Sequence, residues 1–293
     1  MQNVATVGQI VAPVFFLAAV GFGWTRAGLD YPTAFVTRLA MTLAVPSLIF
    51  VALMEAQVEP RALTTLTAAS LVAYGAALAA AWGAARLLGL DRRAYVAPLA
   101  FGNTGNIGLP LALFAFGPEG LSLAVVVFAV MAVLTFTLGV WLVAGTSRPL
   151  AVLREPVVLA TLAGATCLWF DLTTPAFVTE TLRLAGQMAI PLMLVTLGVA
   201  VARLRPAGLT RPVALSAAKL ALCTGVGWAA GRAFGLSDVA FAVLVIQLAT
   251  PVAVTSYLLA EKYDADPAAV AGLVVVSTLL SIGALPLLLG ILL

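Results

Sequence analysis

The residues best suited to chemistry in this chain lie in one short stretch, Phe101-Gly-Asn-Thr-Gly-Asn-Ile-Gly-Leu-Pro110, in the middle of an otherwise apolar run. Three glycines, two asparagines and a proline favour an interrupted helix there. Hydrocarbon cannot hydrogen-bond a freed backbone, so an unwound segment at membrane depth survives only where protein surrounds it or where it lines a wet cavity. A half-helix that begins at such a break presents unpaired N–H groups and about half a positive charge to whatever faces it. Asn103 and Asn106 add amide donors that can hold a carboxylate without placing a fixed charge in a low-dielectric site. With Gly105 and Pro110 they form a candidate anion-binding segment. The alternative is that the asparagines only cap the freed backbone of a rigid kink.

Lys219 is the next candidate. It lies about eight residues into an apolar span, roughly 12 Å deep at 1.5 Å per residue. A charge at that depth is costly and marks a functional position. It either adds positive potential to an anion site, or steadies backbone carbonyls at a helix break where related folds hold a cation, or extends to the cytoplasmic edge. Gln187, one turn before Pro191, is placed to reach a substrate or to satisfy a proline kink. Pro46 and Pro191 read as kinks, and Arg38 and Arg183 as residues that snorkel or pair with neighbouring helices.

The chain contains no histidine. Histidine proton relays, His-ligated metals and Ser–His hydrolysis are therefore excluded, an enzymatic reading has no residues to rest on, and no cofactor or metal is expected. The two cysteines, Cys167 and Cys223, fall in separate spans without disulfide or metal spacing. A net charge of +3 is too small to indicate a nucleic-acid partner.

Of the residues, 63% are apolar and 9% charged, against about a quarter charged in soluble domains. The composition is that of a multi-pass membrane protein embedded in a lipid bilayer. Hydropathy places ten spans at about 7–25, 32–54, 63–85, 95–116, 119–145, 156–172, 175–201, 211–233, 239–260 and 268–292. The start of the chain lacks the basic segment of a signal peptide, so the first run is expected to be retained. Basic residues alternate between the joints. Arg26, Arg86, Arg92, Arg93, Arg148, Arg154, Arg203, Arg205, Arg211 and Lys262 fall on one side, and only Arg61 and Arg232 on the other. The positive-inside rule puts the first group in the cytoplasm and both termini outside.

The second half repeats the first. Arg38-Leu-Ala with Pro46 recurs as Arg183-Leu-Ala with Pro191, and Trp82, Arg86, Gly89 and Leu90 recur as Trp228, Arg232, Gly235 and Leu236. Pro60 has its counterpart in Pro206. Five spans per repeat, an odd number, invert one half relative to the other, as in many secondary transporters. The first repeat is expected to occupy residues 1–146 and the second 147–293. The plan predicts a second break near residues 248–256, where Thr250-Pro251 suits the start of a new half-helix and Gln247, Thr255 and Ser256 offer polar groups.

Taken together, Gly102 to Pro110, the Thr250-Pro251 pair, the Pro46 and Pro191 spans, the short loop from Arg148 to Glu155, and Tyr257, Tyr263 and Asp264 ahead of a Ser277-Thr278-Leu-Leu-Ser281 span resemble the auxin efflux carrier (PIN-like) family, in a bacterial member. The resemblance covers the whole chain. It implies an all-α polytopic membrane protein of ten transmembrane helices in two inverted five-helix repeats, with spans four and nine crossing as broken helices, a plan shared with bile-acid symporters. It also implies a homodimer-forming scaffold of spans 1, 2, 6 and 7 beside a transport domain of spans 3–5 and 8–10. Elevator-type movement of small organic carboxylate anions across the bacterial cytoplasmic membrane follows from it. Plant members hold their substrate with an asparagine in each crossover; here Asn103 and Asn106 supply the first, and the second has none. The alternatives are a sodium-coupled organic anion symporter of the bile-acid-carrier type and a membrane ligand sensor that does not transport.

Overall fold

A computed structural model describes residues 2–56, 59–144, 155–204 and 210–293. Arg148, Arg154, Arg205 and Pro206, used above for orientation and for the repeat, lie outside the described residues. In order the helices are α1 (Gln2–Arg26), α2 (Thr33–Leu39), α3 (Val45–Met54), α4 (Pro60–Leu87), α5 (Arg92–Ala100), α6 (Leu109–Leu134), α7 (Val140–Ala144), α8 (Pro156–Trp169), α9 (Ala176–Gln187), α10 (Ala189–Arg203), α11 (Thr210–Ala233), α12 (Asp238–Ala249), α13 (Val254–Lys262) and α14 (Pro267–Leu292). Among the described residues, seven helical stretches are long and apolar enough to cross a membrane, and α8 and α12 are shorter apolar helices. Helices satisfy their own backbone groups, the requirement hydrocarbon imposes.

Prolines explain most of the irregular turns. A proline lacks the N–H that would bond the carbonyl four residues earlier, and its ring crowds that carbonyl. Before Pro46 the chain opens into a π-turn at Ala40–Ala44, where the Val45 N–H reaches back to the Ala40 carbonyl. Before Pro110 it does so again at Thr104–Gly108, where the Leu109 N–H bonds the Thr104 carbonyl. Ahead of Pro191 the helix divides at Met188, so the predicted seventh span is two helices, α9 and α10. A third π-turn, Thr135–Gly139, has no proline behind it. Gly117 takes φ 64°, a conformation open to glycine, and there α6 folds back between the predicted fourth and fifth spans.

The Trp–Arg–Gly–Leu motif that occurs twice is a helix stop. Gly89 and Gly235 both turn left-handed, at φ 61° and 60°. The next N–H, of Leu90 or Leu236, then bonds the carbonyl of Ala85 or Gly231. The motif's Trp228 carries the Arg232 guanidinium over its ring; Trp82 instead carries Arg92.

Two groups of helices pack side by side. In the first, α1 lies along α10 and α3 lies on α8 and α9. Gly21 sits against the Val195 backbone, and Gly198 against the Ala18 carbonyl, so each helix of the first pair offers a glycine to the other's backbone. In the second group, α4 presents Ala69, Ala73, Ala77, Ala81 and Ala85, all buried, to α5, α6 and α11. The stripe recurs every four residues, one face of a helix, and brings those backbones close.

Candidate functional site

Both predicted breaks are present and they meet. After α5 the backbone leaves the helix at Phe101–Asn103, and after α12 it does so at Thr250–Ala253. Gly102 pairs with Val252 in an isolated antiparallel bridge, and the Asn103 N–H donates to the Pro251 carbonyl at 2.7 Å. Glycine is required at 102 because a Cβ there would collide with the Thr250 side chain. Part of the freed backbone is satisfied by protein. The Asn103 carbonyl accepts from Ile107 and Gly108 at 3.1 and 3.3 Å, and the Val252 N–H donates to Ser277 Oγ at 2.9 Å. Lys219 Nζ donates to the Thr250 carbonyl at 2.8 Å.

Thr250 does not open the new half-helix as its sequence indicated. It closes α12, with its Oγ1 bonded back to the Gln247 carbonyl at 2.6 Å, and Ala253 stands at the N-cap of α13. The hydroxyl finds an acceptor in the turn behind it before it can cap the turn ahead. Lys219 is buried and reaches into the fold rather than toward a membrane edge.

The candidate residues fall into five places. Asn106 and Thr255 line a cavity of about 380 Å³ between the two helix groups. Asn103, Thr104 and Gln247 are buried behind it, and Asn103 Nδ2, Thr104 Oγ1 and both amide atoms of Gln247 have no hydrogen-bond partner. Gln247 rests on Gly108, where a Cβ would strike its amide. Gly105 and Pro110 serve packing: Gly105 faces the Phe128 ring, and Pro110 is buried in the first turn of α6. Lys219, Thr250 and Pro251 share a small crevice with Ser216, Ser277 and Ser281. Gln187 is not brought to Asn106. It is exposed in a second cavity of about 580 Å³, with Glu55, Glu119, Ser122 and Arg183. Arg183 pairs with Glu55 there at 2.6 Å.

The Asn106 cavity also draws on residues that sequence reasoning passed over. Thr33, Thr37, Thr196 and Arg203 line it from the α1–α10 side, and Tyr257 and Glu261 from α13. Arg203 is held in place by donating to Thr33 Oγ1 at 2.6 Å and to the Tyr31 carbonyl at 3.0 Å. The Tyr31 hydroxyl in turn bonds Thr196 Oγ1 at 2.8 Å. In the sequence Arg203 figures only as a loop charge and Tyr257 only in the family resemblance.

The cavity therefore combines the Asn106 amide, hydroxyls, the Arg203 guanidinium, the Glu261 carboxylate and the opening turn of α13, whose first N–H groups lack helical partners. Apart from Glu261 these groups donate hydrogen bonds, which suits a small anion bound on the Asn106 and Arg203 side with an apolar portion against Met41, Met193 and Val254. Two interrupted helices crossing inside a multi-pass helical membrane protein define a class, the transporters with discontinuous helices. The profile of one transporter family, membrane transport protein (Mem_trans), matches residues 6–161 and again residues 140–289. The chain belongs to this family, that of the auxin efflux carriers and PIN-like proteins. A search of curated proteins returned no match.

Proposed function

We propose that this protein is a secondary carrier of small organic carboxylate anions in the bacterial cytoplasmic membrane, with the substrate held at Asn106. The single observation that supports this most is the position of Asn106, beside the crossing of the two broken helices and open to a cavity between two helix groups. Asn103 and Gln247, buried without partners, form the reserve of polar groups behind it. In this reading residues 1–146 and 147–293 are inverted repeats. The first helix group is the scaffold, through which two copies pair, and the second group is an elevator-type transport domain. Both termini lie outside the cytoplasm. The Asn106 cavity contains Arg203 and Glu261, from segments that charge places near the cytoplasm, so the site faces inward.

The test is counterflow in proteoliposomes, with labelled malonate and indole-3-acetate as probes. Exchange of at least one anion is expected, with a loss of about tenfold or more in affinity for Asn106→Ala, the usual worth of a hydrogen bond to a charged group. No exchange of either anion by folded, inserted protein would sink the proposal. Exchange that requires sodium would identify a symporter of the bile-acid-carrier type instead. Saturable binding without exchange would identify a sensor.

A further inference from the structure

Lys219 is the one charged residue that is buried among the described residues, at 3% exposure. Its ammonium is tied to the Thr250 carbonyl, on the backbone of the crossing itself. The crevice around it offers the hydroxyls of Ser216, Ser277 and Ser281 and no carboxylate. Neither ion pair among the described residues includes it. From α4, α5, α12 and α14, the elements packed on α11, no acidic side chain lines that crevice, and its ionisable neighbour is Cys223, one turn along α11. A buried cation without a counter-ion is costly, and an anion bound nearby relieves the cost.

We infer that Lys219 is the resident counter-charge of the moving domain, so that a monoanion crosses the membrane field as part of a neutral complex. The inference rests on the carrier reading above. The remaining charged side chains of the described transport helices are not buried and lie at or near helix ends or, for Glu119, beside the Gly117 turn of α6, where they stay near water as the domain moves. Lys219 moves with the crossing to which it is bonded. A net cycle still transfers one charge per monoanion. That charge crosses on the empty domain, as one positive charge returning inward, and not on the loaded one. A dianion would cross as a complex of net charge −1.

The experiment uses the full-length protein in proteoliposomes whose potential is set by potassium and valinomycin. Two modes are compared between zero and about −100 mV inside, a range that acts strongly on one full charge. One mode is exchange, with the same anion saturating both sides, which never passes through the empty domain. The other is net efflux, which does. For indole-3-acetate, a monoanion, exchange is expected to be flat with voltage, while net efflux accelerates several-fold. For malonate at pH 8, a dianion, exchange itself is expected to depend on voltage. Lys219→Gln is expected to make indole-3-acetate exchange voltage-dependent, and Lys219→Arg to restore the flat response. Voltage-dependent monoanion exchange in the unaltered protein, or flat exchange in Lys219→Gln, overturns the inference and leaves the carrier reading standing. Where Lys219→Gln fails to fold, the contrast between the two anions in the unaltered protein decides. Absence of any exchange overturns the carrier reading, and this inference with it.

Discussion

Asn103 and Asn106 stand three residues apart and meet opposite surroundings. Asn106 is half-buried on a cavity, while Asn103 is almost wholly enclosed with its amide nitrogen unpartnered. A buried donor without an acceptor costs about 1–3 kcal/mol. It is therefore not there for stability. Replacing Asn103 by Ala is expected to leave the melting temperature of the ligand-free protein unchanged or raised, while reducing the stabilisation that substrate confers; a clear fall in the ligand-free value would show that the amide is structural. Gln247 makes a stronger case, since both ends of its side chain are unpartnered at 0% exposure. Gln247→Met, close in volume, is expected to stabilise the protein by about 1–3 kcal/mol in thermal or denaturant melts while slowing exchange. Arg203 differs again, being at the mouth of the cavity and exposed to solvent. Arg203→Gln is expected to weaken anion affinity only modestly, by a few-fold in counterflow, because exposed charges contribute about 0.2–1 kcal/mol.

At the scale of helices, close approach is what the small residues supply, and it can be tested by contrast. A Cβ on Gly198 would run into the Ala18 carbonyl, whereas one on Gly225 of α11 meets nothing within 4 Å. Gly198→Ala is expected to pry α1 from α10 at a cost of about 1–3 kcal/mol, the usual penalty of overpacking, whereas Gly225→Ala is neutral or stabilising by about 0.5–1 kcal/mol. Melting curves in detergent measure both, and equal melting points would refute the glycine contact as a structural device. The positions of the breaks were legible because Gly, Asn and Pro leave few backbone choices, so Gly102, Asn103 and Pro110 announce an interruption whatever surrounds them. How each break is capped was not legible. The Thr250 hydroxyl had two roles open to it, donating to the Gln247 carbonyl behind it or accepting from the N–H groups of the new turn ahead, and only tertiary packing decides between them. The α2–α10 face of the cavity was equally hidden. Thr33 is separated from Thr196 and Arg203 by more than half of the chain, and a threonine within a span ordinarily bonds its own helix, so its sequence carries no sign of a shared site.

For the molecule as a whole, the Asn106 cavity and the Gln187 cavity open against the same pair of helix groups but share no lining residue. One contains Asn106 and Arg203, the other Glu55, Glu119 and Arg183. On the second side, Ser122 Oγ donates to the Ala52 carbonyl at 2.7 Å, joining α6 to α3 across the boundary. A carrier held with one side open should label from that side alone. In a variant with Cys167 and Cys223 replaced, Asn106→Cys is expected to react with a membrane-impermeant maleimide from the cytoplasmic face; equal labelling from both faces would contradict the inward-facing reading. The π-turns at Ala40–Ala44 and Thr104–Gly108 face the same cavity through Ala40, Met41 and Asn106. Each holds one surplus residue, and passing that residue along to the next turn would swivel the segment in between by about 100°, one residue's angular step, without lengthening the rod. If Asn106 holds the substrate as proposed, such a twist would swing its amide out of the chamber while Gly102 and Val252 stay paired, and letting go of cargo would need only a local rotation.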